Sequence, residues 1–101
     1  MMKTFSAKDE ILSSLKYGII GDAFSQIRNK NKAIEYYIKA ANIRENEITT
    51  PFYYYKTALL TFSMEKYHIS RFFFKKIEKK YPFFLYKENV DKYLMFIENK
   101  I

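Results

Sequence analysis

The chain is 101 residues long, enough for one domain, and its 49% hydrophobic content rules out a disordered segment. It has no cysteine, which excludes a disulfide framework and a thiolate metal site. Its net charge of +7 raises the question of a polyanionic partner.

Helix is the expected state throughout, because glycine and proline are scarce and no apolar/polar alternation persists. A first helix is predicted from Ser6, with Ser6 and Asp9 as a capping box, to about Arg28. Ile11, Leu15, Ile19, Phe24 and Ile27 are candidates for its buried side. Asn29-Lys30-Asn31 breaks the pattern and offers caps to a second helix, about Asn31 to Arg44, which places Ala33, Tyr37, Ala40 and Ala41 on one side. Thr50-Pro51 then reads as a start signal, a capping hydroxyl followed by a residue suited to the first turn. The third helix is predicted from Pro51 to about Met64 and the fourth from about Glu65 to Lys80, where Tyr81-Pro82 stops it. A fifth, about Tyr86 to Lys100, carries Val90, Tyr93, Leu94 and Ile97 at helical spacing.

The chain repeats itself at a shift of 37 residues. Tyr17 falls on Tyr54, Gly21 on Ala58, Ala33 on Ser70, Tyr36 on Phe73, Tyr37 on Phe74 and Ala40 on Ile77, and the helix boundaries recur at the same shift. Two antiparallel helix pairs closed by a fifth helix are therefore expected.

Gly21-Asp22-Ala23-Phe24 and the stretch from Asn31 to Ala41 resemble the end of the first helix and the whole second helix of a tetratricopeptide repeat. Gly21, Phe24, Ala33, Tyr37 and Ala40 occupy the small and aromatic places of that pattern, as do Ala58, Tyr67, Ser70, Phe74 and Pro82 in the second unit. Thr61 and Ile77 depart from it. The family's repeat is about 34 residues, so the three extra residues are expected in the connection from Glu45 to Thr49. The segments Gly21-Asp22-Ala23, Glu47 to Pro51 and Asp91-Lys92-Tyr93 are also similar to the carboxyl-terminal part of Bacteroidetes tetratricopeptide proteins. The resemblance implies an all-α solenoid of about two repeats, residues 14–47 and 51–84, with a capping helix over 86–100. In members of that group more repeats and a membrane anchor are usual, so this chain reads as a reduced version.

A catalytic inventory is lacking. His68 is the single histidine, the two glycines fall inside a helix rather than in a phosphate loop, and the Asp9-Glu10 and Glu45/Glu47 clusters read as solvated faces. No enzyme activity, metal or cofactor is therefore expected. No uncharged stretch approaches the roughly 20 apolar residues of a membrane span, and residues 1–8 lack the core of a secretory signal, so a cytoplasmic location is expected. The basic charge has a bland source: Lys outnumbers Arg fifteen to three, and Lys, Ile, Asn, Phe and Tyr, all of A/T-rich codons, make up 53 residues. Arg71, Lys75, Lys76, Lys79 and Lys80 form the densest basic stretch around Phe72, Phe73 and Phe74. Nucleic-acid binding, the alternative function, is disfavoured on the expectation that rings and cations largely separate, Phe73 and Phe74 pointing into the core and the lysines toward water.

In the tetratricopeptide family the first helix of each pair lines a concave groove in which peptides dock. Carried onto this chain, that groove comprises Leu15, Gly18, Asp22, Ser25 and Gln26 from the first unit and Phe52, Tyr55, Leu59, Phe62 and Ser63 from the second. The Lys and Asn clamp by which some members hold acidic tails is absent, since Gly18, Asp22, Tyr55 and Leu59 stand there. The implied function is a scaffold or adaptor holding an apolar or amphipathic peptide of a protein partner, with Phe52, Tyr55, Leu59 and Phe62 as one stripe and Tyr55 and Leu59 removable without loss of fold. A structural subunit of a larger assembly is a further alternative. A weak two-fold homodimer through the first helix or the stripe is also expected, because Ile11, Ile19 and Ile20 lack an obvious cover.

Overall fold

Five α-helices account for most of the computed structural model, which describes residues 7–101: α1 (Ala7–Gln26), α2 (Lys30–Asn42), α3 (Thr49–Ser63), α4 (Tyr67–Lys80) and α5 (Lys87–Glu98). There is no strand among the described residues. The expected Ser6–Asp9 capping box lies outside them. No helix of the described residues is long and apolar enough to cross a membrane.

The 37-residue repeat is written into the backbone. Arg28 and Glu65, 37 positions apart, are the two non-glycine residues with positive φ among the described residues, at 65° and 59°. Each ends its helix in the same way. Arg28 N–H donates to the Ser25 carbonyl at 3.0 Å and Asn29 N–H to Phe24 at 2.9 Å; Glu65 donates to Phe62 at 2.9 Å and Lys66 to Thr61 at 2.9 Å. This pair of bonds is the Schellman arrangement, which satisfies the last carbonyls of a helix by turning one residue left-handed. The next helix then starts alike, Ala33 donating to Asn29 and Ser70 to Lys66, both at 3.0 Å. Left-handed Arg28 therefore stops α1 at Gln26, short of the expected Arg28, and left-handed Glu65 keeps α4 from beginning there.

Within each pair, contact is made where a side chain is small. A Cβ on Gly21 would stand 2.7 Å from the Tyr37 ring and 3.3 Å from the Ala33 carbonyl, so only glycine admits α2 at this distance. In the second pair Ala58 takes that place, and buried Ser70 donates to its carbonyl at 2.9 Å. The pairs share a core of Ala33, Tyr37, Ala40, Tyr53, Tyr54, Ala58, Phe74 and Ile77.

The α2–α3 connection, residues 43–48, is organised by Asn46. Its Oδ1 accepts from the Ile48 and Thr49 amides, each at 2.8 Å, and its amide donates to the Arg44 carbonyl at 2.6 Å. Asn46, rather than Thr50, thus caps α3. The Thr50 hydroxyl is fully buried and points backwards, donating to the Ala41 carbonyl at 2.8 Å and accepting from Asn46 N–H at 3.0 Å.

Helix α5 occupies the place of a third unit's first helix. Its buried Val90, Leu94 and Ile97 stand 37 residues after Tyr53, Thr57 and Leu60. The positions equivalent to Tyr54, Ala58 and Thr61, which pack against the second helix of their own pair, hold Asp91, Met95 and Glu98 instead. Met95 is 71% exposed, Asp91 pairs with Lys87 and Glu98 with Arg71. The carboxylates keep this side of α5 polar.

Candidate functional site

Helices α1, α3 and α5 form one face of the molecule, α1 packing directly against α3 and Phe62 of α3 resting on Tyr93 and Phe96 of α5 at ring separations of 4.9 and 5.3 Å. Three depressions lie on this face. The first, about 390 Å³, is walled by Ile11 and Leu15 of α1, Ile48 and Phe52 at the start of α3, and Phe83 and Leu85 of the α4–α5 connection. The second, about 280 Å³, lies between α1 and α3 and is lined by Ser25, Tyr37, Lys56, Leu59, Leu60 and Ser63. The third, about 370 Å³, is formed by Phe62, Asn89, Lys92, Tyr93 and Phe96.

Six of the groove residues expected from sequence line these depressions: Leu15 and Phe52 the first, Ser25, Leu59 and Ser63 the second, and Phe62 the third. Gln26 is exposed at the end of α1 and lines none of them. Tyr55 is a correction. It is 8% exposed, its ring stacked on Tyr86 at 5.3 Å and edge-on to Phe84 and Phe74, and its hydroxyl accepts from the Asn89 amide at 3.2 Å. The expectation that it is a removable anchor fails, because the connection 81–86 folds over it and makes it core. Gly18 is likewise not open groove: a Cβ there would stand 2.0 Å from the Tyr53 hydroxyl oxygen, so the glycine admits a buried ring.

Asp22, expected in the groove, lines none of the depressions but joins three helices. Its Oδ1 accepts from Lys56 at 2.7 Å and from the Tyr37 hydroxyl at 2.5 Å, tying α1 to α2 and α3 at one atom. Burial alone would raise this carboxyl, but the bonds from Lys56 and Tyr37 together outweigh it and hold the group below its ordinary value. Burial first, and the bond to Asp22 second, push the Tyr37 phenol up. The ammonium of Lys56 also sits 5.4 Å from the ring centres of both Tyr37 and Phe52, so it spans the first and second depressions.

Compared with known proteins, the chain matches no family model, no curated protein and no solved structure. Its site therefore stands on its own residues.

Sequence reasoning missed Ile48, Phe83 and Leu85 as wall residues and Tyr93 and Phe96 as partners of Phe62. Ile48, Phe83 and Leu85 are 60%, 95% and 82% exposed. The run Phe83-Phe84-Leu85-Tyr86 between two helices was the available signal, since a loop gains nothing from four consecutive apolar residues unless some of them cover a neighbour. Phe84 and Tyr86 do so over Tyr55; Phe83 and Leu85 are left at the surface.

Proposed function

We propose that this chain is a non-catalytic scaffold of the tetratricopeptide type, which holds an apolar or amphipathic peptide segment of a protein partner along the α1–α3–α5 face. The observation that carries the reading is the set of three neighbouring depressions walled in turn by α1, α3 and α5, each with a predicted groove residue in its wall. Side chains spaced along one extended or helical segment can enter such a set in turn, which is how peptide grooves gain both affinity and register. The 37-residue helix pairs with Gly21 and Ala58 at the close approach support the solenoid reading, in which α5 caps the stack.

Selection of peptides from a displayed random library tests the proposal. Selected peptides should share apolar residues at fixed spacing, and Phe83→Ser with Leu85→Ser should weaken their binding at least tenfold while the helical circular dichroism is unchanged, since both side chains are almost wholly exposed. Equal binding by the parent and this variant would reject the face. The outer side of α1, with Leu12 54% and Ile19 65% exposed, supports the weak two-fold dimer expected from sequence. Light scattering that shows a monomer at every concentration would reject that dimer.

A further inference from the structure

The outer side of α4 carries a second surface, remote in character from the first. His68, Arg71, Phe72, Lys75, Lys76 and Lys79 line a depression of about 360 Å³. On a helix these positions, linked by steps of three and four residues, form one stripe running for about 16 Å. Of the three consecutive phenylalanines, Phe73 and Phe74 enter the core as expected, at 8% and 0% exposure, but Phe72 is 56% exposed and stands among the cations. The expected separation of rings from lysines is therefore incomplete at one position, the one that matters for a base.

The stripe's charges are available. Lys76 makes no direct ion pair among the described residues, Glu45 feeling its charge only at longer range, and lies 5.4 Å from the centre of the Phe72 ring and 5.2 Å from that of Tyr54. Arg71 pairs with Glu98 at 2.8 Å and Lys75 with Glu78 at 3.5 Å, both as surface pairs with all four side chains at least 36% exposed. Such pairs contribute little and exchange readily for another anion.

We infer that this stripe binds single-stranded nucleic acid, Phe72 stacking on a base while Arg71, Lys75, Lys76 and Lys79 meet the flanking phosphates. An exposed ring set among cations matches the alternation of base and phosphate in an unpaired strand. An acidic peptide would engage the lysines and leave the ring idle, and a duplex hides the faces of its bases. A membrane surface would need a broad apolar face to insert, and on α4 that face, Phe73, Phe74 and Ile77, is buried in the core.

Fluorescence anisotropy of a labelled oligouridylate, with the full chain, tests the inference. The logarithm of the affinity should fall with the logarithm of salt with a slope of about −2 to −3, the value for three or four phosphates on a single strand. Phe72→Leu should weaken binding about tenfold with that slope unchanged, because it removes stacking and no charge. Lys76→Gln together with Lys79→Gln should flatten the slope by about 1.4. Both variants alter exposed or half-buried groups, and circular dichroism confirms that they fold. Phe83→Ser with Leu85→Ser should leave oligonucleotide binding intact, which separates failure here from failure of the peptide face. The inference is overturned if the oligonucleotide does not bind, if Phe72→Leu binds as tightly as the parent, or if duplex RNA, polyglutamate or phosphatidylserine vesicles bind more tightly than the single strand.

Discussion

Replacing Lys66 by Asn should stabilise the fold, because it copies into the second helix pair a cap that the first already has. Asn29 precedes α2 with φ −92° and ψ 77°, and its side chain accepts from the Lys32 amide at 3.2 Å. Lys66 precedes α4 with φ −90° and ψ 72°, nearly the same backbone, and has no capping bond. An asparagine there meets the Ile69 amide at the same geometry. Such a cap is worth about 1 kcal/mol, and removing a cation from the positive end of α4 adds a few tenths more. Nothing opposes the gain, since Lys66 is exposed and the two backbone bonds it makes, to Thr61 and from Ser70, do not involve its side chain. For a domain of this size the urea midpoint should rise by roughly half a molar. The reverse change, Asn29→Lys, should lower it by a similar amount. Urea titration followed by circular dichroism decides: an unchanged or lowered midpoint for Lys66→Asn would show that matched backbone angles do not make the two turns equivalent.

Gly18→Ala at an exposed helical position would gain about 1 kcal/mol, but overpacking against buried Tyr53 costs about 1–3 kcal/mol, so a net loss is expected. Tyr53→Leu in the same chain should reverse the sign of the alanine's effect; an alanine that stabilises the parent would refute the close approach. Tyr55→Ala should cost about 3–5 kcal/mol by urea titration, and a fully folded variant of parental stability would return Tyr55 to the binding face. The folded value of Asp22 lies below its unfolded value of about 3.8, so its contribution is complete above that pH and is lost as pH falls through the lower folded value. Asp22→Asn should remove this acid dependence from a pH series of unfolding midpoints. The effect should be small, because the Asp22 and Lys56 side chains are 42% and 30% exposed.

The helix count, the pairing and the 37-residue shift were legible because they rest on local rules: apolar spacing, a proline stop at Pro82 and small residues at Gly21, Ala33 and Ala40. The positions of the caps were less so. Thr50-Pro51 has the composition of a helix start, yet the Thr50 hydroxyl is drawn to the Ala41 carbonyl by the return of the chain, and Asn46 does the capping. Arg28 and Glu65 give no sign of left-handed backbone, since neither is glycine or asparagine; only the recurrence of the turn exposes it. In the site, Phe52, Leu59 and Phe62 follow from periodicity. Tyr55 has the same periodicity and is buried, because its cover comes from residues 81–86, an aperiodic segment whose path no spacing encodes. Phe72 differs from Phe73 and Phe74 only in azimuth around α4, and a break of one position settles which ring the core takes.

The carboxylates at Asp91 and Glu98 have a consequence for polymerisation. A stack of helix pairs can in principle grow at either end, each added pair covering the apolar side of the last. To add a hairpin beyond α5, this chain would have to bury two anions and give up the Lys87 and Arg71 pairs. Each buried ion costs several kcal/mol, more than a new apolar contact at Met95 returns. On the α1 side Leu12 and Ile19 are open, with Lys8 and Lys16 exposed one turn away. Extension of the stack past α5 into a fibre is therefore disfavoured for joined copies of this sequence.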